Sequence, residues 1–313
     1  MKVSFLITYY NQKEYVHESI QSVLKIRKSN IEWEILVGDD GSTDGTIEEI
    51  EKYVKTDSEH IKLFIMPRER GKKYFSVQRA SQNRLNLLSH ASGDFFCTLD
   101  GDDFYCDSEF LMEAIDVFEQ DPDVSIVGFG YRYYKNGAYG ESFTLPAGAC
   151  VHRRCFDENR IEYIKQIGYF DDNDIVINSL CYGKMFAINR PIYAYRQTGE
   201  SVYTSMSTLE QAVLNVQGYD VDCVIAPQYK DELLERNVDS ILTTYFKRKE
   251  LKELLGEKYE TYLLTSEHLP NSLLTSFLKG DWASSNIVRD SVKKICKVAP
   301  YTLIKTAIKS RMI

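Results

Sequence analysis

The sequence contains no run of 18 or more apolar residues, so nothing in it has the length and hydropathy of a membrane-spanning helix. The opening MKVSFLITYYNQ turns polar after one short apolar stretch, which does not read as a signal peptide and predicts a cytoplasmic protein. Paired cysteines are missing as well. The seven present, at 97, 106, 150, 155, 181, 223 and 296, form no CxxC, which argues against a disulfide framework or a zinc site and for reduced thiols. Five histidines, His17, His60, His90, His152 and His268, show no metal-site spacing and are expected as surface or helix residues. Neither GxGxxG nor a P-loop occurs, which leaves kinase and dehydrogenase chemistry without support.

What is present is an ordinary globular composition, 43% apolar in 313 residues, enough for one large domain or a domain with a helical appendix. The net charge of −8 disfavours nucleic acid as a partner, yet it is uneven. From Arg289 onward seven Lys or Arg face the single Asp290, so this end carries +6 and the rest −14.

Apolar runs of strand length recur at KVSFLIT, EILVGDD, IKLFIM, DFFCTL and VSIVGFG. Between them lie stretches of helical spacing, such as Tyr15, Ile20, Val23 and Leu24 in QKEYVHESIQSVLK. This alternation predicts an α/β domain with a Rossmann-like, mostly parallel sheet flanked by helices on both faces. In such sheets ligands sit beyond the carboxyl ends of the strands.

Two acidic clusters fall at such ends. GDDGSTDGT, residues 38–46, carries Asp39, Asp40 and Asp44, and SGDFFCTLDGDD, residues 92–103, runs into Asp100, Asp102 and Asp103. Asp44 suits a cap for the helix begun by TIEEIEKYV, which leaves Asp39 and Asp40 facing a crevice. Carboxylate clusters at neighbouring strand ends repel by several kcal/mol unless a cation or hydrogen-bond donors lie between them. A bound metal resolves this, and ligation by oxygen alone suits Mg²⁺ or Mn²⁺ shared with substrate phosphates.

VSFLITYYNQKEYVHESIQSVL, EILVGDDGSTDGT and SGDFFCTLDGDD, in that order and spacing, resemble the nucleotide-sugar-binding half of family 2 glycosyltransferases with the GT-A fold. The resemblance covers residues 1–130 strongly and reaches about residue 200 more loosely. It implies that Thr8, Tyr10 and Asp40 hold the base, Asp40 accepting from a uracil imide. LDGDD becomes the DxD motif, with Asp100 near the ribose and Asp102 on a Mn²⁺ or Mg²⁺ that bridges the diphosphate. Where the family reads ARN, this chain has SQN at 81–83, so the arginine approaching the nucleotide would be Arg79 or Arg84.

IGYFDDNDIVINSLCYGK, residues 167–184, is similar to the family's EDxxxxxxLxxxG segment. Counting back from Gly183 places Asp172 on the catalytic base, with Asp174 in reserve and Asp171 where Glu is more usual. Neighbouring carboxylates would raise the pKa of such a base toward working pH. An acidic first helix turn stabilised by the macrodipole is the competing reading. NRPIYAYRQTGESVYTS, residues 189–205, looks like the family's YR segment, which would bring Tyr195 and Arg196 to the diphosphate or to the loop over it. Gln197 stands where many relatives have a His, leaving a third protein ligand to the metal without a candidate.

Some features stay open. His152, Arg153 and Arg154 form a basic cluster for an anionic acceptor or for solvent, with solvation favoured. The Tyr-rich VGFGYRYYKNGAYG, residues 127–140, suits a hairpin whose rings stack on sugars or pack in the core. From residue 206 the spacing is helical, in LEQAVLNVQ, KDELLERNVDSILTTYF and RKELKELLGEKYETYLL. The basic amphipathic end, interrupted at Pro300, suits an anionic leaflet or a helical packing or dimer contact. The resemblance favours a peripheral place on the inner membrane face, since such polymerising enzymes act on lipid-linked acceptors.

The expectation is therefore a GT-A catalytic domain over 1–205, split into a nucleotide-sugar half to 130 and an acceptor half beyond, with a C-terminal helical extension over 206–313. It would be an inverting, metal-dependent transferase using a nucleotide-sugar donor and a glycan or lipid-linked acceptor. A nucleotidyltransferase would need a basic Gly-rich loop where TYYNQKEY stands, and a binding module or scaffold would leave Asp102 and Asp172 idle.

Overall fold

The computed structural model describes residues 1–69, 71, 74, 76–144, 149–155, 161, 162, 164, 165, 168–198 and 206–256. His268, Cys296, the predicted helix beyond residue 256 and the basic amphipathic tail lie outside them. The chain divides into two compact units, Met1–Thr204 and Ser205–Ile313.

The first unit holds nine strands: β1 (Lys2–Tyr9), β2 (Glu32–Asp39), β3 (Ile61–Ile65), β4 (Phe95–Asp100), β5 (Phe104–Tyr105), β6 (Val124–Lys135), β7 (Ala138–Thr144), β8 (Cys150–Arg153) and β9 (Lys184–Arg196). They form one sheet in the order β3-β2-β1-β4-β8-β6-β9-β5, with β7 beside β6. The first four strands are parallel, and β8 joins antiparallel to both β4 and β6. Among the described residues five helices accompany them: α1 (Val16–Leu24), α2 (Thr46–Thr56), α3 (Ser76–His90), α4 (Phe110–Gln120) and α5 (Asp172–Leu180). The chain steps outward from β1 through β2 to β3 and then returns to β4 on the other side of β1. That reversal makes the carboxyl ends of β1 and β4 the topological switch point.

Strand alternation sorts the two faces. Val3, Phe5, Ile7 and Tyr9 of β1 enter one buried cluster with Val16, Ile20 and Val23 of α1 and Phe110, Leu111 and Ala114 of α4. Ser4, Leu6 and Thr8 point to the opposite face, where α3 packs. On β4 the same period-2 rule turns Phe96, Thr98 and Asp100 toward the α3 side. Helix α3 lies close because Gly38, at the end of β2, has no side chain: a Cβ there would sit 2.1 Å from Oδ1 of buried Asn83. At the far end of the strands, Glu34 accepts bonds from the Ser92 amide and hydroxyl, Ser4 and Lys2. Burial opposes its charge, yet these donors hold its pKa at about 2.

His152 corrects the expectation of a solvated basic cluster. It lies in the core on β8, stacked on Phe96 at 4.8 Å and hydrogen-bonded through Nδ1 to Ser179 Oγ of α5 at 2.9 Å. Burial lowers its pKa to about 3, so it is a neutral strut. Arg153 lies over Phe95 and Phe118 and donates to the carbonyls of Val124 and Phe118.

The described residues of the second unit are helical: α6 (Thr208–Ile225), α7 (Lys230–Phe246) and α8 (Arg248–Leu255). Ser207 and Glu210 cap α6 reciprocally, at 3.2 and 2.7 Å. The six described cysteines are free, and among the described residues no helix is long and apolar enough to cross a membrane.

A Cβ at Gly101 would lie 2.2 Å from the ring of buried Tyr9. Gly101→Ala is therefore expected to cost about 1–3 kcal/mol, the usual range for overpacking, measured as a lower urea midpoint at unchanged slope.

Candidate active site

The strand ends gather the carboxylates, and arginines answer them. Asp39 turns away from the crevice: it is fully buried and accepts from the Ser42 amide at 2.7 Å and hydroxyl at 2.6 Å. It closes its own turn, and burial raises its pKa. Asp44 accepts from the amide and hydroxyl of Thr46, one residue ahead of the formal N-cap Gly45, whose φ of 99° only glycine adopts freely.

Asp40 is buried and paired with two guanidinium groups. Arg79 Nε donates to its Oδ1 at 2.6 Å, and Arg68 bonds both its Oδ2 and, at 2.7 Å, its carbonyl. The Arg68 guanidinium also lies 3.9 Å from the ring centroid of exposed Tyr10. Tyr10, Asp40 and Arg79 thus share one wall of the crevice, with Arg68 added. The repulsion between acidic clusters expected from the sequence is met, in the protein itself, by arginine donors. Arg68 was not foreseen, although PRERGKKY after β3 placed four basic residues at a strand end.

The second group centres on Arg84 of α3, a side chain only 6% exposed. It reaches Asp100 at 3.0 Å and Asp172 at 3.3 Å and makes a charged hydrogen bond to Asp171. Thr8 Oγ1 adds a bond to Asp100 Oδ1 at 3.3 Å. The loop carrying Asp171 is itself fastened to α3, since the Phe170 amide donates to Ser81 Oγ at 2.5 Å. Of the two arginines named as alternatives, Arg79 lies on the Asp40 side and Arg84 on the Asp100 side.

Asp172 opens α5 and stays about one-third exposed. Desolvation pushes its pKa up to about 7; Arg84 opposes this, and Asp171 and Asp100 reinforce it. Asp174, the reserve candidate, is buried and accepts from the Asp171 amide at 2.6 Å as part of the helix cap, which spends it on structure.

Asp102 and Asp103 diverge. Asp103 is buried, taking bonds from the Tyr193 hydroxyl and, at 2.7 Å, the Arg196 amide. Burial and the two neighbouring aspartates put its pKa well above the carboxylate range. Asp102 is half-buried, and desolvation with the Asp100 charge raises its pKa to about 6, against pulls from Arg196 and Gln12. Arg196 Nε donates to the Asp102 carbonyl at 2.6 Å, and its other arm pairs with Glu18. Arg196 therefore braces the loop, while the Tyr195 ring lies among Tyr131 and Tyr133.

A divalent cation fits this chemistry. Asp102 would supply a hard oxygen donor, and a cation there would relieve its repulsion with Asp100. Among the described residues no group of three or more His, Cys, Asp or Glu side chains could hold an ion, so the remaining ligands would come from a substrate.

Arg84→Ala leaves Asp100, Asp171 and Asp172 without their shared cation. We expect a loss of about 1–3 kcal/mol in urea unfolding, with Arg84→Lys restoring part of it.

Comparison with known proteins bears on the family and the fold. A sequence model described as Glycosyl transferase family 2 matches residues 4–193. EpsE of Bacillus subtilis (strain 168) is 32% identical over 151 residues, 47% of this chain and 49% of that protein. The Escherichia coli UDP-Glc:alpha-D-GlcNAc-diphosphoundecaprenol beta-1,3-glucosyltransferase WfgD is 30% identical over 144 residues, 46% of this chain and 51% of that one. The chain thus matches about half the length of these curated relatives. The crystal structure of Staphylococcus aureus TarS 1–349 in complex with UDP superimposes with a TM-score of 0.57 at 16% identity, covering 97% of this chain and 88% of that one. The fold is the GT-A arrangement expected from the sequence, and the chain belongs to glycosyl transferase family 2.

Proposed function

We propose that the chain transfers a sugar from a nucleotide-sugar, with UDP as the nucleotide, to a hydroxyl of a glycan or lipid-linked acceptor in the assembly of a cell-surface polysaccharide. The observation that carries this is the pairing, through one buried guanidinium, of Asp100 with Asp172, a partly exposed carboxylate with a pKa pushed up to about 7. A group that titrates there is suited to take a proton from a hydroxyl at neutral pH.

Thr8, Tyr10, Asp40 and Arg79 form the nucleoside side of the crevice in this reading. Asp40 already receives two arginines, yet a carboxylate has about four lone-pair positions and can still accept an imide N–H. Asp100 stands toward the ribose. Asp102 would hold Mn²⁺ or Mg²⁺, which supplies charge neutralisation to a departing diphosphate. Asp172 removes the proton from the acceptor hydroxyl, and the oxygen attacks the anomeric carbon on the face opposite the diphosphate. A single displacement inverts the configuration. Fixing both reactants in line contributes much of the acceleration.

UDP is favoured by the TarS complex and by the donor in the name of WfgD, whose diphosphoundecaprenol acceptor likewise favours a lipid-linked one. A nucleotidyltransferase is disfavoured by the loop after β1, where exposed Tyr10 and Asn11 stand in place of a basic phosphate cradle.

The test is release of UDP from a UDP-sugar. Asp172→Asn should reduce turnover by about 100- to 10,000-fold while UDP affinity changes less than about threefold. Turnover should rise with pH through about 7 as Asp172 ionises. Because Asp171 raises that pKa, Asp171→Asn should shift the rising limb to lower pH. Full activity of the Asp172 variant would remove it as the base.

A further inference from the structure

The function above leaves one surface unused. Strands β6 and β7 form a hairpin turned at Asn136 and Gly137, both with positive φ (50° and 82°), as a two-residue hairpin turn requires. On one face of β6 stand Tyr131 and Tyr133. Register places Phe143 of β7 opposite Tyr131 and Tyr195 of β9 beside Tyr133. Their rings touch at centroid distances of 5.1–6.2 Å. Tyr131 and Tyr133 are partly buried, Tyr131 against the main core, while Phe143 is 37% exposed and Tyr195 41% exposed, so the cluster presents an edge to solvent. An ordinary hairpin needs no such rings on its outer face, and a contiguous exposed aromatic surface marks a place of contact.

This surface is continuous with the strand-end aspartates after β4. Tyr193 lies beside Tyr131 in the β6–β9 ladder and donates its hydroxyl to Asp103. Tyr195 adjoins Arg196, whose amide bonds Asp103 at 2.7 Å and whose guanidinium holds the Asp102 carbonyl. Burial raises the Tyr195 phenol's pKa, and the neighbouring strand-end aspartates add to it. The surface therefore borders the loop that would carry the leaving diphosphate.

We propose that Tyr131, Tyr133, Phe143 and Tyr195 form the acceptor subsite and that its occupant is a pyranose ring. The assignment rests on the glycosyl-transfer reading above. A pyranose has an apolar C–H face and a rim of hydroxyls, which suits a patch of aromatic rings that also carries three phenol hydroxyls. A hydrocarbon chain would be served as well by aliphatic residues and would gain nothing from three phenols. Stacking here places the acceptor sugar beside the DxD loop.

The test uses the full chain saturated with UDP and Mn²⁺, titrated with methyl glycosides of glucose, N-acetylglucosamine and galactose and followed by saturation-transfer NMR. UDP affinity is measured separately by calorimetry. At least one glycoside should bind, with Tyr133→Ala and Phe143→Ala each weakening it by up to about tenfold, the upper range for one aromatic partner. Tyr133→Phe should remain within about threefold, and UDP affinity within about twofold in all variants. No glycoside binding by folded protein that binds UDP would overturn the proposal, as would unchanged glycoside affinity in both alanine variants. Binding of n-octyl phosphate with the same loss in the variants would overturn it in favour of a hydrocarbon site. Glycoside binding that the variants weaken, in protein that binds no UDP, would support the sugar site while refuting the transferase reading.

Discussion

The guanidinium of Arg84 is the contact on which the site depends. Three carboxylates from two distant parts of the chain, Asp100 at the end of β4 and Asp171 and Asp172 at the start of α5, converge on it. Without a shared cation, charges this close in a partly desolvated cleft would push the loop after β4 and the α5 loop apart. With it, the end of β4 and the start of α5 have a common reference point, and Arg84 is sealed from solvent on helix α3, which limits its freedom.

The position of α3 follows from the strands beneath it. Gly38 lets Asn83 approach β2, Ser81 takes the Phe170 amide, and the alternation of β4 turns Asp100 to that side. His152 supports the same face from β8 by stacking on Phe96 and bonding Ser179 of α5. Arg196 plays the matching part from β9, fixing the backbone of Asp102 while Tyr193 and the Arg196 amide hold Asp103. The pKa values of Asp102 and Asp172 are raised as a consequence: both stay partly accessible in a cleft crowded with like charge. A functional cleft accepts that cost where a structural carboxylate such as Glu34 is instead surrounded by donors.

Much of this was legible in the sequence. The five apolar runs became β1, β2, β3, β4 and β6, because period and length in a parallel sheet leave few alternatives. The positions of Asp100 and Asp102 at a strand end and of Asp172 at a helix start could be read, because their motifs keep fixed spacing to those elements. What could not be read was the pairing of charges. Arg68 lies on an irregular loop and meets Asp40 only through tertiary folding, and Arg84 was indistinguishable from Arg79 until the helix register was known. His152 was misjudged beside two arginines, since a short apolar neighbourhood on an antiparallel strand gives no sign of which residues face inward. Asp39 and Asp174 were read as site carboxylates, although their neighbours use them to close a turn and cap a helix.

The central claim is that the strand-end carboxylates and arginines form a nucleotide-sugar donor site completed by a divalent ion. The most direct measurement is thermal unfolding of the full chain against UDP-, GDP-, CMP- and dTDP-sugars, with and without Mn²⁺, since a ligand of the native state raises the midpoint. The account predicts a rise with a UDP-sugar that depends on Mn²⁺ and is absent for the others. A folded protein whose midpoint responds to none of them, with or without the ion, would contradict it.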